Sequence, residues 1–126
     1  MVMADSIISQ RAFAFASHIL RLCSVLEGRG STGRHLAWQL IRCGTSIGAN
    51  AEEAQEAQTK PAYISSMSIS RKECREAQYW LRLALASEAT TQAEVNWALD
   101  EVTQLLAMIR RAVRTAQSSS SRGVSP

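Results

Sequence analysis

The chain has 126 residues, of which 46% are hydrophobic, and a formal charge of +3. That length suits one domain around one core, and so mildly basic a balance permits an anionic partner without requiring one. No apolar run approaches the roughly 20 residues that cross a bilayer, and MVMADS lacks a signal-peptide layout, so no membrane partner is expected and the expected location is cytoplasmic.

Glycine and proline are scarce, at six and two, and no alternating Val/Ile/Thr-rich run argues for strands. The expected class is all-α, with helices at about 5–27, 32–57, 61–87 and 92–117 in a single domain over 1–117. The first helix has Asp5 or Ser6 as its cap and a strict apolar seam of Ile8, Ala12, Phe15, Ile19, Leu22 and Leu26. Phe13, Ala16, Leu20 and Cys23 widen that seam to a second face, more than one neighbouring helix would use. GRGSTG ends it at Gly28.

Ser31 or Thr32 is the expected cap of the second helix, and Leu36, Leu40, Cys43, Ile47, Asn50 and Ala54 form its seam. Gly44 and Gly48, one turn apart beside Ala37 and Ala51, leave a bare face along which another helix can come close. Each costs about 1 kcal/mol relative to alanine, so a packing reason is expected. Asn50 sits on the apolar seam with Ser46 one turn before it, which reads as a structural polar layer.

Pro61 suits the first turn of the third helix, capped by Thr59. Met67, Cys74, Leu81 and Ala84 or Leu85 form its seam, flanked by Ile64, Ala77 and Trp80. Folding back about Lys60-Pro61 brings Arg42 opposite Ala77 and its neighbour Glu76, and Ser46 opposite Glu73. A network of Arg42, Ser46, Asn50, Glu73 and Glu76 is therefore expected, with loss of Glu76 strongly destabilising. The fourth helix carries Val95, Leu99, Val102, Leu106, Ile109 and Val113, and the polar run at 118–126 reads as a disordered tail.

Four helices with three short connections predict an antiparallel up-down-up-down four-helix bundle. Cys23, Cys43 and Cys74 are widely spaced without a CxxC pair, so reduced, buried thiols are expected, and no metal or other cofactor. Trp38 and Trp97 fall off the apolar seams of their helices, a placement that a subunit interface favours, so self-association is expected.

The run GTSIGANAEEAQEA followed by MSISRKECREAQYWLRLAL resembles the bacterial four-helix-bundle family first recognised as reading frames in intervening sequences of large-subunit ribosomal RNA genes. Arg42, Thr45 to Asn50, Glu53-Ala54, Met67, Lys72-Glu73, Glu76 and Tyr79-Trp80-Leu81 carry the resemblance. Ser70-Arg71 stands where that family often has a small-apolar pair. The resemblance implies a homo-oligomeric ring, typically a pentamer. It also extends to accessory proteins of diversity-generating retroelements, which implies RNA or DNA, or a reverse transcriptase, as a partner.

For function, the bundle topology gathers Arg11, Arg110, Arg111 and Arg114 at one end as a candidate nucleic-acid surface, offset in part by Glu52, Glu53 and Glu56. No stacking platform of basic and aromatic residues is read beside them. No phosphate-cradling glycine loop or nucleophile signature supports an enzyme. The expectation is a non-enzymatic oligomer that binds nucleic acid, with a scaffold docking a reverse transcriptase as the alternative.

Overall fold

The structure, a computed structural model, describes residues 3–121 and consists of four α-helices: α1 (Met3–Glu27), α2 (Gly30–Gln55), α3 (Lys60–Ala86) and α4 (Gln92–Ser121). Each packs on its chain neighbours and α4 closes on α1, giving a four-helix bundle with no strand among the described residues. The apolar seams meet in one core, where Phe15, Ile19, Leu40, Ile47, Met67, Leu81, Val102 and Ile109 are fully buried. Cys23, Cys43 and Cys74 lie in it as free thiols, and burial pushes each up to about 12, so they stay protonated and pack as apolar groups.

The bare face of α2 packs on α1. A Cβ on Gly44 would lie 3.0 Å from Cγ2 of Ile19, and one on Gly48 would lie 3.3 Å from Cβ of Ala12. The α1–α2 corner is tighter than the sequence suggests. Gly30 takes φ +87°, Arg29 precedes the helix without a side-chain cap, and α2 begins at Gly30 rather than after Ser31 or Thr32. Gly33 is buried beneath the end of α1, where an added Cβ would meet the carbonyl oxygen of Leu26.

Three further boundaries follow local hydrogen bonding. Asp5 does not cap α1: it lies inside the helix, nearly buried, and accepts the Tyr63 hydroxyl of α3 at 3.0 and 3.1 Å. Thr59 caps α3, its hydroxyl accepting from the Ala62 amide, with Pro61 in the first turn. Before α4, Thr91 and Glu94 exchange bonds as a capping box, and Arg29 clasps Glu94 through both guanidinium ends, holding that carboxylate down at about 2. At its other end α4 runs to Ser121, so residues 118–121, expected in the tail, are helical; the rest of the expected tail lies outside the described residues.

Candidate nucleic-acid interface

Helix α3 buries Met67, Ser70, Cys74, Ala77, Leu81 and Ala84 on one side. The periodicity that buries these residues puts Lys72, Arg75, Tyr79 and Arg82, at spacings of three, four and three, on the opposite side. All four are exposed, and Arg71 is half-buried beside them. Among the described residues none of these cations makes an ion pair. A groove of about 620 Å³ runs along this face, and its lining includes Arg71, Lys72, Arg75, Tyr79 and Arg82 together with Glu76.

The carboxylates of α3 are engaged elsewhere. Glu73 and Glu76 are turned toward α2, where Arg42 hydrogen-bonds Glu76 and stands 3.7 Å from Glu73. Burial, reinforced by the neighbouring Glu76 charge, pushes the Glu73 carboxyl up, while Arg42 draws it down. The outward face of α3 is therefore positive: Arg71, Lys72, Arg75 and Arg82 outnumber its two carboxylates, which share one guanidinium of the adjacent helix.

The expected five-residue network exists as two separate pieces. Arg42 serves Glu73 and Glu76, while Asn50 donates to the hydroxyl and carbonyl of Ser46, both at 2.9 Å. Asn50 and Ser46 are half-buried at the rim rather than sealed in the core. The buried polar link across this helix pair is Ser70, whose hydroxyl donates to the Ile47 carbonyl at 2.8 Å.

Arg11 is not available to a nucleic acid. Its guanidinium is bidentate to Glu101 of α4 at 2.8 Å and also donates to Gln104 at 2.6 Å and to the Met108 sulfur at 3.4 Å. Arg11 lies on the side of α1 that faces α4, so its charge locks the two helices. The paired side chains are only 32% and 11% exposed, against 41% and 36% for Arg42 and Glu76. Arg11→Ala, which strands the nearly buried Glu101, is expected to cost about 2 kcal/mol, below the full penalty of a sealed pair. Glu76→Ala should cost under about 1 kcal/mol, reversing the severity expected from the sequence. Thermal melts of the two variants, side by side, check that order.

Arg110, Arg111 and Arg114 are exposed and form no ion pair among the described residues. They splay around α4. Arg110 lies near enough to α3 to act electrostatically on the buried Cys74, whereas Arg111 lines a cavity with Asp5, Lys60 and Tyr63 at the bundle end. Exposed cations thus stand along α3 as well as on α4. Sequence reasoning missed Lys72, Arg75, Tyr79 and Arg82, although their helical spacing was the signal that could have found them.

Trp38 is 63% exposed and Phe13 71%, so large apolar groups of α1 and α2 face outward. Trp97 finds partners inside the protomer, its ring 4.6 Å from His18 and 6.5 Å from Phe15, yet stays 44% exposed. No helix among the described residues is long and apolar enough to cross a membrane.

Residues 4–111 match the model of the 23S rRNA-intervening sequence protein family. Among solved structures, the chain is similar to a protein of unknown function from the S23 ribosomal protein family of Bacteroides thetaiotaomicron VPI-5482, determined at 1.70 Å resolution. The two are 29% identical with a TM-score of 0.82, over 89% of this chain and 99% of that one. No curated protein matches the sequence.

Proposed function

The chain belongs to the 23S rRNA-intervening sequence protein family, and from that membership we propose that it is a self-associating, non-enzymatic bundle that binds RNA or DNA through the cations of α3 and the end of α4. One observation carries the reading. Lys72, Arg75 and Arg82 stand on an exposed face whose own carboxylates, Glu73 and Glu76, are drawn off to Arg42. Each phosphate met by such a cation releases condensed counterions, and a symmetric assembly repeats the surface in every copy.

Residues that meet across neighbouring helices rise in number on one and fall on the other: Ala12 with Gly48 and Ile19 with Gly44, then Ile47 with Ser70 and Arg42 with Glu76. That order supports an antiparallel up-down-up-down course. The exposed Phe13, Leu20 and Trp38 support burial against further copies, and the resemblance implies a ring of five. Burial keeps the thiols of Cys23, Cys43 and Cys74 far from the thiolate form that attacks or ligates. This favours structural cysteines over nucleophiles and suits a reducing compartment such as the cytoplasm.

The same outward apolar residues, Phe13 and Leu20, also fit a different protein docked on α1, and the resemblance makes a reverse transcriptase the second reading. Light scattering on a sizing column, together with titration of generic RNA and DNA over a range of salt, tests both. A multiple of the chain mass, with binding that collapses as salt approaches about 200 mM, is the expected result. No binding at any salt, with a protein partner recovered instead, would favour the scaffold.

A further inference from the structure

Tyr79 sits among the α3 cations, three residues before Arg82, four after Arg75 and seven after Lys72, so the four share one stripe about 15 Å long. It is 51% exposed. Its ring is braced at 81° and 5.1 Å against Trp80, and Trp80 in turn meets His35 of α2 at 5.9 Å. That bracing fixes the tyrosine where a flexible surface side chain would otherwise sweep, and leaves half of its surface open to the groove that Arg71, Lys72, Arg75 and Arg82 line.

An exposed aromatic ring flanked by cations recognises something different from cations alone. Duplex phosphates satisfy the cations, but duplex base faces are hidden in the stack. A single strand offers both phosphates and open base faces, which is the pairing that sequence-tolerant single-strand binders use. From this stripe we infer that the α3 groove takes single-stranded nucleic acid in preference to duplex, with Tyr79 stacking on a base while Lys72, Arg75 and Arg82 hold the flanking phosphates. The inference rests on the nucleic-acid reading above and narrows it to one class of strand. Because stacking tolerates any base, RNA and DNA single strands share the required chemistry, and a 2′-hydroxyl interaction would separate them.

The test is fluorescence anisotropy with labelled dT20, U20 and a 20-base-pair DNA duplex at one low salt concentration, using the full chain and its Tyr79→Ala and Tyr79→Phe variants. The single strands should bind at least about tenfold tighter than the duplex; Tyr79→Ala should remove most of that margin and Tyr79→Phe, which keeps the ring, should retain it. Tighter binding of U20 than dT20 assigns the groove to RNA, and the reverse order assigns it to DNA, both within the inference. Equal binding of strand and duplex, unchanged in Tyr79→Ala, would overturn it and leave the polyanion reading standing. No binding of any probe would overturn both. Tyr79 lies outside the core, so a melting curve like that of the parent is expected for each variant and excludes misfolding as the cause.

Discussion

Gly33→Ala is expected to destabilise the bundle by about 2 kcal/mol, lowering Tm by roughly 6–10 °C for a domain of this size. The added Cβ would lie 2.1 Å from the carbonyl oxygen of Leu26 and 3.2 Å from Cβ of Arg29. The first of these is backbone, so no rotamer change relieves it, and the corner between α1 and α2 must open. Alanine's better helix propensity returns only about 1 kcal/mol. Gly30→Ala supplies the contrast. It meets nothing within 4 Å but must adopt φ +87°, which costs about 1–2 kcal/mol in backbone strain alone and disturbs no packing. Thermal denaturation should therefore place Gly33→Ala below the parent, with the Arg29–Glu94 clasp weakened in it because the same corner carries Arg29. A Gly33→Ala melt equal to the parent's would show that the corner is not rigid.

The seams of α1 and α4 are legible in the sequence because their apolar residues repeat at three and four, and a side chain's burial follows from its place on the helix. Ile8, Ala12, Phe15, Ile19 and Leu26 are all sealed in the core. The bare glycine face of α2 is legible for the same reason, since Gly44 and Gly48 only make sense under a close neighbour. Charge is harder to read. Arg11 looks like a surface cation in one dimension, and only the pairing of α1 with α4 reveals Glu101, Gln104 and Met108 on the facing side. Asn50 falls on the seam and so reads as sealed, yet near the seam's rim a shift of a few tens of degrees is enough to expose it. The corner at Gly30 is hidden by Ser31 and Thr32, which are good caps in general but lie inside a helix that starts before them. The α3 cations escape a search for basic residues at a bundle end, where short connections gather them, because they run along a helix at spacings of three and four.

The second large effect is on binding. Replacing Arg71, Lys72, Arg75 and Arg82 together by alanine should weaken binding of a generic single strand by about a thousandfold at 50 mM salt, because each phosphate left unpaired keeps its condensed counterions. The folded state should tolerate the change. Three of the four side chains are exposed, none makes an ion pair among the described residues, and surface substitutions of this kind alter stability by about 0.5 kcal/mol or less each. Neutralising Arg11 instead should lower the melting temperature and leave affinity nearly as it was, since its guanidinium already belongs to Glu101. The two outcomes together separate cations that hold the protein from cations that face a partner.

The most direct measurement is the slope of log affinity against log salt for the parent and for the fourfold α3 variant. With the α3 face as the binding surface, the slope should become shallower by about 3, near 0.7 for every single-strand phosphate that no longer meets a cation, at an unchanged melting temperature. An equal slope in the two proteins would mean that the unbalanced cations of α3 touch no phosphate, and would contradict a nucleic-acid surface on this helix.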